Sequence, residues 1–363
     1  MRRILHFMSN ISINSGVAAI VMNFYRHIDR NRIQFDFLYF EDSSLTYAQE
    51  ISSLGGRAFQ IPRPSPFSMG KIFAFFCEHY GEFWGLHCHP IWAAALIGPV
   101  AKRYGVHAVF LHSHSEKPGE SRISIMRNRI LLRLSTEKVD TYIACSQAAK
   151  AAFGKNACRA YVLPNAIDTR AFSFDEYVRH ACRSQLGISP ETIVIGHVGR
   201  MVEVKNHHFL LEVFSLYLQT NSDAQLLLIG DGPLEQSLQT LTKKLKIQER
   251  VQFLGAQQDT ARLYAAMDIF VMPSQYEGLS MALLEAQAAG LPCLVSNTVS
   301  MESDVTGRMC RLPLGSPQQW AEVLAEHLCK PLERNKGIFD AFEAKRLDIH
   351  IAVQDLTAFY EKI

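Results

Sequence analysis

Short apolar segments alternate with longer helical patterns along the whole chain of 363 residues. In the second half, five such segments are each followed by a turn and a helical pattern: TIVIGHVG, AQLLLIGDG, VQFLG, DIFVMPS and PCLVS. The first half shows the same alternation in RRILHFM, FDFLYF, AVFLHSH and TYIACS. Because strands that alternate with helices usually pair in parallel, the pattern predicts an α/β fold with doubly wound, Rossmann-like sheets.

One segment, Leu163 to Thr192, has no sustained strand pattern and separates the two halves. A chain of this length also exceeds what a single hydrophobic core usually serves. We therefore predict an N-terminal Rossmann-like domain over residues 1–170, a C-terminal one over 171–340, and a last amphipathic segment over 341–363. Open parallel sheets bind ligands outside the carboxyl ends of their strands, so we expect the two domains to face each other across a binding cleft.

Composition argues against a nucleic-acid-binding protein, a disulfide-rich or zinc protein and a membrane-spanning protein. Lys and Arg number 37 against 35 Asp and Glu, a net charge of +2 that gives no whole-molecule argument for nucleic-acid binding. The eight cysteines show no metal-ligand spacing and several lie in apolar runs, which favours buried, reduced thiols in the cytoplasm. The longest apolar stretch, Ile91 to Ala101, is too short to span a bilayer. We expect a cytoplasmic protein with no nucleic-acid partner.

Two cations follow the first strand of the second half. Arg200 stands at the end of that strand, and Lys205 lies just before a helix that we predict to begin near Asn206. Backbone N–H groups and the helix dipole favour an anion at such a position, and a diphosphate can share its oxygens between guanidinium and ammonium groups. From the residues alone, two solvated surface cations are an equally good interpretation.

Two carboxylates stand eight residues apart in PSQYEGLSMALLEAQAAGLP. We predict a helix starting near Ser280, which places Glu277 beside the amides of Gly278, Leu279 and Ser280, and Glu285 inside the helix. In a continuous helix the two would lie about 12 Å apart along the axis, beyond the roughly 5 to 9.5 Å needed for a pair acting on one glycosidic bond. Each carboxylate can instead accept hydrogen bonds from vicinal hydroxyls, which favours an extended ligand such as a nucleotide sugar. The alternative for Glu285 is a partly buried charge paired with Lys or Arg.

These motifs together resemble a known family. The segments GHVGRMVEVKNH, LLLIGDGPLEQ, VQFLGAQQDTARLYAAMDIFVMPSQYEGLSMALLEAQAAGLP and VMNFYRHIDRNRIQFDFLYF are similar to family-4 retaining glycosyltransferases of the GT-B fold, above all the bacterial capsule and exopolysaccharide enzymes. The resemblance runs from Ile4 to about Leu328. It implies transfer of a hexose or N-acetylhexosamine from a nucleotide sugar, with uridine favoured over guanosine, to a lipid-linked or oligosaccharide acceptor.

The resemblance also implies roles for individual residues. Arg200 and Lys205 would contact the donor diphosphate, Glu285 the ribose hydroxyls and Glu277 the hydroxyls of the donor sugar. No metal and no cofactor would be required. The anomeric configuration would be retained by front-side attack, with the leaving phosphate helping to deprotonate the acceptor. The last segment would be the helix that returns toward the first domain.

The first half offers weaker candidates. Gly16 opens a helix where N–H groups could meet phosphate, although relatives usually carry two glycines and this chain has Ser15 and Ala18 instead. His112 and His114 stand at a strand end. The family resemblance favours His114 for contact with the donor sugar or acceptor, and either could act as a general base or simply bond to backbone.

Two further features of the first half, a histidine pair and a basic segment, are less specific signals of function. His87 and His89 flank a strand-end cysteine with no third ligand nearby, so we expect no zinc there. Residues 121–138 form a basic amphipathic pattern that could lie on anionic lipid, as the cytoplasmic face of a membrane provides, or could be an ordinary solvated helix face.

Two rival functions remain open. A UDP-sugar 2-epimerase would share the two-domain architecture, but the Arg-x4-Lys and Glu-x7-Glu spacings speak against it. A non-catalytic nucleotide-sugar-binding subunit is favoured only by the altered loop at Ser15 and Ala18.

Overall fold

A computed structural model describes residues 1–43, 45–115, 119, 122–135, 138–328 and 333–363. The chain divides into two compact units. The first unit comprises residues 1–166 and 349–363, and the second comprises residues 167–348. The division falls at the beginning of the segment that lacks a strand pattern.

The first unit is built on seven strands and the helices between them. Its strands are β1 (Arg2–Phe7), β2 (Ile33–Tyr39), β3 (Ala58–Gln60), β4 (Gly85–Cys88), β5 (Ala108–Ser113), β6 (Thr141–Ala144) and β7 (Tyr161–Val162). Its helices before residue 166 are α1 (Gly16–His27), α2 (Ala48–Ser53), α3 (Met69–Glu78), α4 (Ala93–Arg103) and α5 (Arg122–Ser135), with a 3-10 segment over Ala148–Arg159.

The seven strands form one parallel sheet in the order β3-β2-β1-β4-β5-β6-β7. All six residues of β5 are buried, as expected of a parallel strand covered on both faces. Helix α1 begins after Ser15, whose hydroxyl accepts a hydrogen bond from the Ala18 N–H at 3.4 Å. The strand order reverses between β1 and β4, which makes their carboxyl ends the topological switch point of this sheet.

The second unit contains six strands. They are β8 (Ile193–Val198), β9 (Ala224–Ile229), β10 (Val251–Gly255), β11 (Ile269–Met272), β12 (Cys293–Ser296) and β13 (Met309–Leu312). The helices are α6 (Glu176–Gln185), α7 (His207–Tyr217), α8 (Glu235–Lys244), α9 (Ala261–Ala266), α10 (Met281–Ala288), α11 (Pro317–Leu328) and α12 (Ile338–Ala344). Short 3-10 segments cover Glu203–Lys205, Gln248–Arg250 and Met301–Ser303. The last helix of the chain, α13 (Ile349–Lys362), belongs to the first unit.

The second sheet is also parallel, in the order β10-β9-β8-β11-β12-β13, and its switch point lies between β8 and β11. Apolar side chains pack on both of its faces. The predicted helix starts near Asn206 and Ser280 are confirmed, since α7 begins at His207 and α10 at Met281. Two Rossmann-like units of parallel strands and helices confirm the predicted fold class.

Among the described helices, none combines the length and the apolar character needed to cross a bilayer. Four of the described cysteines, Cys88, Cys145, Cys182 and Cys293, are buried thiols. Cys77 and Cys158 are exposed, so burial of the thiols is confirmed only in part. Cys329 lies outside the described residues.

Candidate functional site

An ion pair joins the loops that follow β8 and β11, the two strands at the switch point of the second sheet. The ammonium of Lys205 lies 2.7 Å from Oε2 of Glu277, and the two side chains are 17% and 18% exposed. The backbone supports the pair, because the Gln275 N–H donates to the Val204 carbonyl at 2.8 Å. The structure therefore brings together a cation and a carboxylate that the sequence assigned to neighbouring parts of one ligand.

The loop that carries Glu277 is held on one side by neighbouring hydroxyls. Thr298 Oγ1 donates to the Ser274 carbonyl at 2.8 Å, and Ser303 Oγ donates to the Gly278 carbonyl at 3.1 Å. Ser280 is the N-cap residue of α10, but its side chain makes no capping hydrogen bond and lies 3.7 Å from the Met272 sulfur. The first-turn amides of α10 are thus not satisfied by their own cap residue and can attract an anion.

Glu285 lies on α10 with its side chain half-buried. The buried Tyr264 of α9 donates its hydroxyl to Oε2 of Glu285 at 3.0 Å and also contacts the Ala282 carbonyl at 3.1 Å. Burial raises the pKa of Glu285 to about 7, and the hydrogen bond from Tyr264 opposes that rise. No described Lys or Arg forms an ion pair with Glu285, so its partner here is a phenol, which the sequence analysis did not identify.

Arg200 is exposed immediately after β8. Its loop is fixed by glycines: a Cβ on Gly230 (φ 127°) would lie 2.2 Å from the Gly199 carbonyl oxygen, and one on Gly232 (φ 155°) would lie 2.6 Å from the Met201 carbonyl oxygen. The two glycines let the turn after β9 pack against the loop that carries Arg200. Their role is accounted for by this packing alone.

Gly16 is exposed at the first position of α1. No atom lies within 4 Å of the place where its Cβ would stand, and its φ is not positive. Neither conformation nor packing therefore requires glycine here. Its contact with phosphate stays a prediction.

The structure distinguishes between the two histidines that the sequence placed at the end of β5. His112 lies within the strand and is 3% exposed, with Nδ1 3.2 Å from Nε2 of His87. His114 follows the strand and is half-buried, with Nε2 2.9 Å from Nδ1 of His89. The burial of His112 leaves His114 as the one better placed to meet a ligand.

The expectation that no third ligand lies near His87 and His89 was wrong. Single ring nitrogens of His87, His89 and His112 all lie within 4.8 Å of one another. The cause is the parallel pairing of β4 with β5, which sets His87 opposite Phe110, two residues before His112. The strand order that creates this proximity cannot be read from the spacing along the chain.

Burial keeps these imidazoles neutral. It lowers the pKa of His6, on the neighbouring β1, to about 3 and that of His114 to about 4, and it holds the pKa values of His87, His89 and His112 well below the usual range. Repulsion between the histidines adds to the effect for His6, and an Asn165 hydrogen bond opposes it for His114. Sequence reasoning did not connect His6 with the others, although three of the five histidines lie one residue before a strand end and two directly follow a strand.

Helix α5 presents both apolar and basic side chains to solvent. Ser121, Thr136 and Glu137 of the predicted basic segment lie outside the described residues, as does the side chain of Arg122. Apolar side chains that are at least half exposed recur on one face: Ile123, Met126, Ile130 and Leu134. The exposed cations Arg127, Arg129 and Arg133 accompany them.

Family models match both halves of the chain. A model of group 1 glycosyl transferases matches residues 178–336, and a model of Glycosyltransferase Family 4 matches residues 14–171. The putative glycosyltransferase EpsF of Bacillus subtilis (strain 168) is 34% identical over 335 residues, which cover 89% of this chain and 87% of EpsF.

Two further comparisons agree with these. The GDP-mannose-dependent monoacylated alpha-(1-6)-phosphatidylinositol monomannoside mannosyltransferase of Corynebacterium glutamicum is 31% identical over 254 residues, 66% of each chain. The crystal structure of Anabaena HepE in complex with UDP and glucose superposes with a TM-score of 0.83 at 19% identity, covering 100% of both chains. The latter likeness supports the fold.

Proposed function

Because the chain belongs to the family-4 glycosyltransferases, we propose that it transfers a hexose or N-acetylhexosamine from a nucleotide sugar to a lipid-linked or oligosaccharide acceptor in surface polysaccharide synthesis. The observation that carries the proposal is the group of Lys205, Glu277 and Glu285 around the switch point of the second sheet. A UDP-sugar is the preferred donor, since HepE was solved with UDP and glucose. GDP-sugars are the alternative, since the mannosyltransferase relative depends on GDP-mannose.

Lys205 and Arg200 would hold the donor diphosphate together with the first-turn amides of α10. The charged oxygens of a bound diphosphate would accept hydrogen bonds from the Lys205 ammonium, which now donates to Glu277. The loop that carries Glu277 would stay in place, because the hydrogen bonds that anchor its backbone do not involve the ion pair. Fixed positive charge at the diphosphate stabilises the charge that develops on the leaving group. This part of the proposal needs no metal ion.

Glu285 would accept hydrogen bonds from the ribose hydroxyls, and Glu277, with the loop Gly278, Leu279 and Ser280, would meet the donor sugar. Tyr264 already orients one carboxylate oxygen of Glu285, which leaves the other to receive ligand hydroxyls. Donor hydroxyls replace the hydration that burial removed from this carboxylate. Ionised Glu285 is therefore the form that would bind the donor.

In the proposed reaction the acceptor oxygen forms a bond to C1 of the sugar as the bond from C1 to the phosphate oxygen breaks. The acceptor proton passes to the leaving nucleoside diphosphate, and attack from the same face retains the anomeric configuration. By the family resemblance, His114 would contact the donor sugar or orient the acceptor, with His112 as the alternative, and Gly16 would offer its amide to phosphate. No cofactor would take part.

The apolar and basic surface of α5 supports a peripheral contact with anionic membrane at the cytoplasmic face. Four exposed apolar side chains recur at helical spacing among three exposed arginines, the pattern of a helix that lies in a lipid interface. Such a contact would bring the enzyme to a lipid-linked acceptor. Vesicle co-sedimentation at two lipid compositions, neutral and anionic, tests it directly.

A thermal-shift panel of UDP-sugars and GDP-sugars tests the donor, because a ligand that binds the native state raises its melting temperature. We expect a concentration-dependent rise with at least one UDP-sugar. NMR of the anomeric proton of the product then tests retention. An inverted product contradicts the mechanism, and epimerised donor formed without any acceptor would favour the epimerase instead.

A further inference from the structure

Five histidines gather at the carboxyl ends of β1, β4 and β5 and form two hydrogen-bonded rows. In one row, His87 lies between the Tyr360 hydroxyl, at 2.6 Å from Nδ1, and His112, at 3.2 Å from Nε2. The other row places His89 between His6, at 3.1 Å, and His114, at 2.9 Å.

The two rows stack on each other, so the imidazoles form one cluster. The rings of His87 and His89 are nearly parallel, at 8° with centroids 4.8 Å apart, and those of His112 and His114 have centroids 4.1 Å apart. None of these five histidines is assigned to the diphosphate or the ribose.

The described part of the chain places no counter-charge within ion-pair distance of the cluster. No described Asp or Glu forms an ion pair with any of the five, and His6, His87 and His112 are each at most 3% exposed. They are therefore held as neutral imidazoles, each with one N–H and one lone pair. Neutral imidazole is the form of histidine that coordinates a metal ion.

Two of the five Nε2 atoms of the cluster lack a hydrogen-bond partner among the described residues. Nε2 of His6 and Nε2 of His112 are buried and form no hydrogen bond with any described residue. All five histidines line a small cavity of about 10 Å³, together with apolar side chains of α1 and α13, among them Val21, Phe24 and Leu356. That volume holds one guest the size of a water molecule and excludes an organic ligand.

The spacing of the nitrogens suits a metal. Bonds of 2.0 to 2.1 Å in a tetrahedral zinc site place the ligand nitrogens roughly 3.4 Å apart. The hydrogen-bonded pairs of the cluster lie at 2.9 to 3.2 Å, and the nitrogens of His87, His89 and His112 lie within 4.8 Å of one another, so small ring rotations bring the three into range. Tyr360 bonds the other nitrogen of His87, as outer-shell groups do for metal-bound histidines.

We propose that His87, His89 and His112 bind one late transition-metal ion, of which Zn²⁺ is the representative, with His114 as the nearest fourth imidazole. An all-imidazole set without carboxylates selects zinc, nickel or copper over magnesium or calcium. The ion would join the ends of β4 and β5 and fix the position of His114. It is a structural site and takes no part in the sugar transfer proposed above, which remains metal-independent.

The test uses the full chain without a polyhistidine tag, first treated with a chelator and then titrated with Zn²⁺ against a chromophoric chelator. We expect one equivalent bound and a higher melting temperature. Co²⁺ should give the intense visible absorption of tetrahedral coordination. X-ray absorption of the zinc-loaded wild type should show at least three imidazoles at about 2.0 to 2.1 Å. Binding of no metal, or fewer than three imidazoles, overturns the proposal without recourse to any variant.

Variants locate the site. The double substitution His87→Gln and His112→Gln should weaken zinc binding by at least about 100-fold. His207→Gln is the matched control, because His207 is also buried and neutral but lies in the second unit, where the described ring contacts join it to one histidine, His197. Circular dichroism checks that each variant folds. Unchanged zinc affinity in the folded double variant, or loss of binding in the control, contradicts the assignment.

Discussion

The two switch points of this protein lie at equivalent places in their sheets and carry opposite chemistry. Between β8 and β11, Lys205 and Glu277 form a charged pair on loops beyond the strands, each side chain about one-sixth exposed. Between β1 and β4, His6 and His87 lie in the strands themselves as buried, neutral rings. A charged pair near solvent can exchange partners with a ligand, whereas buried imidazoles can accept only a guest that fits among them. Equivalent topology thus carries a partly exposed charged pair in one unit and a buried cluster of neutral imidazoles in the other.

The largest effect is expected from Lys205→Ala. If the proposed function is right, the substitution removes a charged hydrogen bond to the donor diphosphate and leaves Glu277 without its ion-pair partner, so kcat/KM should fall by about 100- to 1,000-fold. Lys243→Ala, at an exposed position of α8, is the control and should leave kcat/KM within about twofold. Equal activities of the two variants would show that the switch point of the second unit is not the donor site.

The histidine cluster should instead affect stability. His6 packs against Phe35 with ring centroids 4.2 Å apart, so His6→Ala should cost about 2 to 4 kcal/mol in the free energy of unfolding of the first unit. Hydrogen exchange in β1 and β4 under mild denaturant measures that loss. His107→Ala, at an exposed position, is the control. Affinity for a nucleotide sugar should stay within about twofold, because the proposed function assigns no donor contact to His6, and a tenfold loss would mean that His6 serves the donor after all.

Glu285 gives a pH dependence of defined sign. Its pKa is raised to about 7, and donor hydroxyls favour the ionised form, so affinity for a UDP-sugar should rise from pH 6 to pH 8 and then level off. A UDP-sugar is the suitable probe because its diphosphate diester does not titrate near neutrality. Calorimetry across this range measures the effect.

The ionised carboxylate of Glu285 should also lower the free energy of unfolding of the protein without donor. Because its folded-state pKa exceeds the ordinary 4.5, the stability of the free protein falls as the pH rises from about 4.5 through about 7. Glu285→Gln removes this charge, so it should raise the melting temperature at pH 8. It also removes the charged acceptor for the ribose hydroxyls, so donor binding should weaken about 10- to 100-fold and lose its pH dependence. Glu212→Gln, on the exposed face of α7, should change none of these. A flat pH profile in the wild type would contradict the role of Glu285.

The smallest effect is expected on α5. Ile130→Asp places a charge on the exposed apolar face and should lower co-sedimentation with anionic vesicles several-fold without changing turnover of a soluble acceptor. Tyr177→Asp, an exposed position on α6, is the matched control. If both variants sediment like the wild type, α5 is an ordinary solvated face.

Sequence patterns were sufficient where a local signal existed. The central strands were identified because continuous apolar runs such as AQLLLI are buried on both faces, and the starts of α7 and α10 followed from turns next to apolar helices. The short edge strands β3, β7 and β13 were not predicted. They have two to four residues and no continuous burial, so no periodicity distinguishes them from loops.

For the candidate site, the sequence predicts individual residues but not the contacts between residues that are distant in the chain. The sequence predicts Lys205 and Glu277 as ligand contacts, which stays a prediction, but it does not predict their ion pair, because that pair depends on β11 lying beside β8, with β9 and β10 on the other side. The same holds for Tyr264 beside Glu285 and for His112 beside His87. These contacts follow from strand order and register, which single-sequence patterns do not specify.

Hydrogen-exchange mass spectrometry with and without a saturating nucleotide sugar tests the central claim most directly, since it shows where the donor binds. The account predicts new protection over residues 199–206 and 274–289, in the loops that carry Lys205 and Glu277 and in α10. The Lys205→Ala variant at the same donor concentration should lose that protection. The account would be contradicted if the donor protected another region of the chain and left hydrogen exchange in both of these segments unchanged.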